Sequence, residues 1–178
     1  MKIISKIQIA AFFFILAGFS LNAQTDKQEE IIRDAERAKE AFIAEDPGLR
    51  DFFEDAAGYA IFPNVGKGAY IIGGASGNGA VYQDGRLIGM ADLKQLDIGL
   101  QFGGKAFREV IFFETEIDLE RFKRGNFELS GNASAVAVEE GVAKTIGFQD
   151  GVAIATMPKA GAMVEVSVGG QKFKFEEL

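Results

Sequence analysis

From Tyr59 to the C-terminus, aromatic and β-branched residues alternate with small or polar ones, and glycine is frequent. Turn signals recur about every eight to twelve residues, at Asn78-Gly79, Asp84-Gly85 and Gly169-Gly170 among others. A period of two places successive side chains on opposite faces of a strand, and glycine within strands lets a sheet bend sharply. The pattern therefore predicts a curled or barrel-like, mainly antiparallel sheet of roughly seven to nine strands.

Two helices are expected before the sheet. Asp26 and Glu29 have the spacing of a capping box, and apolar residues follow at helical intervals to about Ala44. Asp46-Pro47 has the pattern of an N-cap followed by the first position of a second helix, which Gly58 would end. The fold class is therefore α+β, with N-terminal helices packed on the glycine-rich sheet and one further short helix within it.

The first 23 residues have the pattern of an export signal. Lys2 and Lys6 lie before and beside an apolar run that ends at Phe19, and Ala23 is a small residue suited to signal-peptidase cleavage. At ~1.5 Å per residue the run reaches about 20 Å, whereas the hydrocarbon core of a bilayer is about 30 Å thick. We expect cleavage after Ala23, which leaves residues 24–178 as a single exported domain. The alternative is a buried N-terminal helix.

The chain contains no cysteine and no histidine. This excludes disulfide scaffolds, Cys/His zinc sites, thiol nucleophiles and Ser-His-Asp triads. Without a cysteine after the cleavage site, we expect a periplasmic or extracellular protein that is not lipid-anchored. The net charge of −7 offers no global positive field for nucleic acid. We therefore expect no cofactor, no metal, no nucleic-acid partner and no enzymatic activity.

The densest basic cluster, Arg121, Lys123 and Arg124, lies on the predicted short helix, for which Thr115 is the expected N-cap. A basic amphipathic helix can lie on an anionic lipid surface, where each Lys or Arg contributes about 1 kcal/mol. The alternative is ordinary surface charge that complements the helix dipole at its C-terminal end. The cluster is therefore a candidate lipid contact.

Residues 57–82 carry the most specific pattern in the chain. The runs AGYAIFPNVGKGAYIIGG from Ala57 and GNGAVY from Gly77 resemble the signature of the SYLF-domain family, in its exported bacterial form. Residues 98–104, 115–129 and 151–175 are similar to later segments of the same family. The resemblance covers roughly residues 30 to 175, which is nearly all of the expected mature chain.

The resemblance implies a non-catalytic lipid-binding domain. Eukaryotic members are described as binding phosphoinositides and some fungal members as binding actin filaments, while exported bacterial members are thought to act in the cell envelope. We expect a phospholipid or membrane surface as the partner, and actin is not an expected partner of an exported protein. Two other functions stay open: an envelope structural or protein-interaction module without lipid binding, and a hydrolase that uses a pair of carboxylates in a cleft.

Candidate lipid contacts combine cations near glycine-rich turns with the basic cluster and one apolar side chain. Lysines would offer point charges to headgroups, and an exposed apolar side chain would add about 25 cal/mol per Å² buried in lipid. The residues predicted for this role are Lys67, Lys105, Lys159, Arg121, Lys123, Arg124 and Phe62.

Overall fold

The computed structural model describes residues 25–66, 74–96, 106–125, 127–129, 133, 135–159 and 168–178. The predicted export signal, Lys67, Lys105 and the SYLF-like segment at residues 98–104 lie outside these ranges. Within them, no helix is both long enough and apolar enough to cross a bilayer.

One sheet dominates the described residues. Its strands are β1 (Gly58–Val65), β2 (Gly74–Gln83), β3 (Arg86–Leu96), β4 (Phe107–Phe113), β5 (Phe127–Glu128), β6 (Val136–Ala137), β7 (Val152–Pro158) and β8 (Gln171–Glu177). They lie in the order β5-β8-β3-β2-β1-β4-β7-β6, and every pair is antiparallel except β6 with β7. The predicted mainly antiparallel sheet is confirmed.

The sheet is curled strongly enough for side chains of two strands that are not neighbours to form a hydrogen bond. Gln171 Nε2 in β8 donates to Glu109 Oε2 in β4 over 3.0 Å, although three strands lie between them in the sheet order. In a flat sheet, four strand spacings of about 4.8 Å would separate the two backbones by about 19 Å. The hydrogen bond therefore crosses the concave interior, and the predicted α+β fold with a curled sheet is confirmed.

The central strand β1 is buried on both faces. The helices are α1 (residues 25–45), α2 (Leu49–Asp55) and α3 (Glu116–Lys123). In β1, Ala60 and Phe62 point into the concave core with α3, whereas Tyr59 and Ile61 point into the core formed with α1 and α2. This alternation explains why almost the whole strand is apolar, since a strand covered on two sides needs no polar face.

The turn predictions have different outcomes. Asp84-Gly85 joins β2 to β3 with φ values of 50° and 71°, the left-handed geometry of a tight hairpin. The turn expected at Asn78-Gly79 is wrong, because both residues lie within β2 and pair with β3. Gly79 is required there for close approach instead: a Cβ would lie 2.5 Å from the carbonyl oxygen of Ile61 in β1.

The predicted helical faces are confirmed, but two predicted N-caps are wrong. Ala38 and Phe42 of α1 are buried, as the period of apolar residues requires. Asp26 lies inside α1 because residue 25 is already helical. The N-cap of α2 is Gly48, so Asp46 precedes the helix rather than capping it.

Candidate functional site

α3 is fixed on the concave core by its sequence. Thr115 Oγ1 accepts from the backbone N–H of Asp118 over 3.3 Å, and Asp118 Oδ2 accepts from the backbone N–H of Thr115 over 3.2 Å. This capping box confirms the predicted N-cap. Leu119 and Phe122 are completely buried beneath the helix. The opposite side of α3 therefore faces outward in a fixed orientation.

The outward face of α3 combines an exposed apolar side chain with arginines. Ile117 is 79% exposed, and it shares a helical face with Arg121 and Arg124 because the spacings are four and seven residues. Leu178 is the other large apolar residue exposed in the described part of the chain. The sequence prediction identified the arginines but missed Ile117, although its helical spacing from them was the signal. These three residues are called the α3 face below.

The three predicted cations of α3 differ in their partners. Arg121 donates to the backbone carbonyl of Asp150 over 2.6 Å and lies 3.7 Å from Asp118. Lys123 forms an ion pair with Glu120 at 2.5 Å. Arg124 is exposed and has no ion pair within the described ranges. Arg124 is therefore the cation of this cluster that is most available to an external anion.

A cleft of about 630 Å³ lies beside α3, between the two edges of the sheet. Among the described strands, β5 and β6 are the outermost, and the gap between them opens toward the concave core. Its volume is within the usual range of small-molecule sites. We call it the seam cleft, and it is lined by Asp118, Arg121, Phe127, Glu128, Leu129, Ala133, Val136, Thr145, Ile146, Gly147, Gln149, Asp150, Val152 and Ile154.

One wall of the seam cleft is held in place by Asp46. Its Oδ2 accepts from the N–H of Ala143 over 2.6 Å, and its Oδ1 accepts from the N–H of Gly48 over 3.0 Å. Ala143 belongs to the 3₁₀ helix Val142–Thr145, which leads into the wall. The Ala143 hydrogen bond is the main reason why the pKa of Asp46 is lowered. Asp46 therefore joins the start of α2 to the cleft as an ionised carboxylate.

Replacing Asp46 by alanine should lower the free energy of unfolding by about 1–3 kcal/mol at pH 7, because two partly buried N–H groups lose their charged acceptor. The carboxylate contributes stability above its unfolded pKa of about 3.9, and this contribution is lost as the pH falls through the lower folded pKa. The difference in free energy of unfolding between wild type and Asp46→Ala should therefore become smaller below about pH 4. Urea denaturation across this range measures it. Asp46→Asn keeps one side-chain acceptor and should lose less free energy of unfolding. If the difference between wild type and Asp46→Ala does not change with pH, an ionised Asp46 does not stabilise the fold.

A second polar group is sealed inside the concave core. Glu109 is completely buried, and burial raises its pKa to about 7, while the hydrogen bond from Gln171 opposes the shift. Gln171 Nε2 also donates to Gln95 Oε1 over 3.3 Å. Glu109 Oε1, Thr156 Oγ1 and Gln171 Oε1 are buried without a hydrogen-bond partner in the described part of the chain. Glu109 lies two residues from Phe107 and two from Ile111, so the period of two in β4 places its side chain on the same inward face as theirs.

The structure separates Lys159 from the basic cluster. Lys159 is exposed at the end of β7, where its Nζ donates to Asn64 Oδ1 over 3.3 Å. Its backbone N–H donates to the carbonyl oxygen of Ala106, just before β4. α3 follows the opposite end of β4, and six residues at about 3.3 Å each place the two ends about 20 Å apart. Lys159 and α3 therefore do not share one small site.

Phe62 is not available as a membrane contact. It is completely buried in the concave core, and its ring centroid lies 5.5 Å from that of Phe173. The expectation of an exposed Phe62 is wrong because β1 is the central strand and is covered on both faces. Its side chain stabilises the curl instead.

Comparisons with known proteins find one distant relative. The chain is 27% identical over 158 residues to Beta cell expansion factor A of Aeromonas veronii, an alignment that covers 86% of this chain and 59% of that protein. This chain therefore spans less than two thirds of the length of that relative. No family model matches the chain.

Proposed function

We propose that this protein is a non-catalytic domain of the cell envelope that binds membrane surfaces through the α3 face. The observation that carries the proposal is the position of Ile117, which is 79% exposed on the same helical face as Arg121 and Arg124. An amphipathic surface helix binds membranes by combining apolar insertion with cations that contact headgroup phosphates. The α3 face offers both on one rigid element.

The expected energies are modest and depend on both parts of the face. Full burial of an isoleucine side chain contributes about 1.5–3 kcal/mol. Arg124, which has no ion pair within the described ranges, contributes about 1 kcal/mol near an anionic leaflet, whereas Arg121 is already engaged by Asp150 and contributes less. Glu120 lies close to this face, but its ion pair with Lys123 offsets its charge. The net charge of −7 opposes approach to strongly anionic membranes, so the contact has to be local.

The resemblance of residues 57–82 to SYLF domains supports this proposal, because lipid binding is what that resemblance implies. Export to the periplasm or the outside would place the domain beside a membrane surface. Glu109, the buried carboxyl group with the raised pKa, does not line the seam cleft. Its position therefore favours a binding function over a hydrolase that uses a pair of carboxylates in this cleft. The name of the Aeromonas relative refers to beta cell expansion, and we propose no such role for this chain.

Variants of the α3 face test the proposal. Ile117→Asp should weaken binding of residues 24–178 to phosphatidylglycerol-containing vesicles at least tenfold, because it removes the inserting side chain. Arg124→Glu should weaken binding by about tenfold, since it replaces an attraction by a repulsion. Vesicle flotation over a range of lipid concentrations measures both changes.

Matched variants away from α3 serve as controls. Leu178→Asp removes an exposed apolar side chain at the C-terminus, and Arg50→Glu reverses an exposed charge on α2, on the other side of the sheet. Neither should change binding more than twofold. Equal losses in the control and α3 variants would show that overall charge governs binding, and this result would reject the α3 face as the contact.

A further inference from the structure

The seam cleft offers a binding site of different character from the α3 face. Its floor is apolar because residues of the concave core reach it between the edge strands. Phe127, Leu129, Val152 and Ile154 are all at least nine-tenths buried and line the cleft. The space is about 630 Å³, which suits one apolar chain rather than a whole bilayer surface.

The rim of the cleft carries an excess of negative charge. Asp118, Glu128 and Asp150 line it together with one cation, Arg121. Lys172 lies outside the lining but is 3.5 Å from Glu128, which reduces the excess to between one and two charges. The carboxylate of Asp150 has no partner within the described ranges. The rim therefore favours a positively charged group.

Arg121 is already engaged by the protein. It donates to the carbonyl of Asp150, lies near Asp118, and its guanidinium lies 5.1 Å from the centroid of the Phe127 ring. An anionic ligand would have to compete with these contacts and face the surrounding carboxylates. An ammonium group would meet acceptors, with Asp150 the most available of them.

We propose that the seam cleft binds one apolar chain of an amphiphile whose polar end carries an ammonium group. The chain lies between β5 and β6 over the apolar floor, and the ammonium group lies at the rim against Asp150 and Glu128. This inference goes beyond the proposed membrane contact and does not depend on it, because the ligand binds as a monomer without a vesicle.

Three detergents with the same twelve-carbon chain test the charge preference: dodecylammonium, dodecyl sulfate and dodecyl maltoside, each below its micelle concentration. Isothermal titration of residues 24–178 should show saturable binding of one dodecylammonium per chain. Dodecyl sulfate should bind on the order of tenfold more weakly, as expected for reversing the charge beside a carboxylate-rich rim. Equal or tighter binding of dodecyl sulfate would overturn the proposal.

A blocking variant tests the location. Gly147 lines the cleft, its φ is not left-handed, and a Cβ there would meet nothing within 4 Å. Gly147→Phe should therefore fold normally, as thermal unfolding can verify, and should abolish saturable binding. Ala137→Phe adds the same ring at an exposed position of β6 outside the cleft and should leave binding unchanged. Unchanged binding in Gly147→Phe would overturn the proposal.

A charge variant separates specific binding from general attraction to an acidic protein. The double variant Asp150→Asn, Glu128→Gln removes two rim carboxylates, and asparagine tolerates the φ of 52° at position 150. It should weaken dodecylammonium binding at least tenfold. The control Glu139→Gln, Glu140→Gln removes two exposed acids outside the cleft and should have less than a twofold effect. Equal effects of the two double variants would show non-specific attraction and overturn the proposal.

Discussion

Phe122→Ala is expected to lower the free energy of unfolding by about 3–5 kcal/mol. Phe122 is completely buried at the centre of an aromatic cluster that joins α3 to the concave face of the sheet. Its ring centroid lies 4.9 to 6.5 Å from those of Phe113, Phe127, Phe173 and Phe175. The truncation removes these contacts and leaves a cavity that the surrounding strands cannot fill.

Urea denaturation followed by circular dichroism measures this loss. Phe122→Leu keeps most of the apolar volume and should lose much less stability, so it remains measurable if the alanine variant does not fold. Because Phe122 anchors α3, the alanine variant should also weaken vesicle binding through the α3 face. A loss below about 1 kcal/mol in Phe122→Ala would show that the cluster does not hold α3 on the sheet.

Glu109→Gln is expected to stabilise the protein by about 3 kcal/mol at pH 8 and to have little effect at pH 4. Burial raises the pKa of Glu109 from 4.5 to about 7, so the folded state holds its proton more tightly than the unfolded state does. The free energy of unfolding of the wild type therefore falls as the pH rises from about 4.5 to 7, by about 1.36 kcal/mol for each pH unit. Glutamine is neutral at every pH and escapes this penalty.

A glutamine side chain at position 109 can also form hydrogen bonds within the concave core. The new side-chain oxygen can accept from Gln171 as Glu109 does. Thr156 is the partner of residue 109 across β4 and β7, and its hydroxyl oxygen lacks a partner within the described ranges, so it is a candidate acceptor for the new amide. Urea denaturation of both proteins at pH 4 and pH 8 measures the difference. The same stability change at both pH values would contradict a raised pKa of Glu109 in the folded protein.

The sequence predicts the local features of this fold well, because they depend on short-range chemistry. The alternation in β1 and β8 follows from a period of two, and Asp84-Gly85 provides the left-handed geometry that its hairpin requires. Thr115 caps α3 because its hydroxyl lies three residues before a free backbone N–H. Each of these features depends on residues within one element.

The site depends on contacts between residues that are far apart in the chain, which the sequence pattern does not contain. Within the described residues, β5 pairs only with β8 and β6 only with β7, and the seam cleft lies between these two edge strands. The sequence pattern predicted Phe62 as an exposed lipid contact because it lies near a glycine-rich turn. Its strand is central in the sheet, and its side chain is therefore buried. The distance between Lys159 and α3 follows from the register of β4 with β7, which no local motif specifies.

Vesicle flotation of wild-type residues 24–178 tests membrane binding most directly. Neutral phosphatidylcholine vesicles and vesicles with added phosphatidylglycerol are compared at low and moderate salt. We expect the protein to float with both, with more bound to the moderately anionic vesicles and with this excess reduced by salt. Absence of the protein from the lipid fraction under all four conditions would contradict membrane binding and favour an envelope protein that acts only through protein partners.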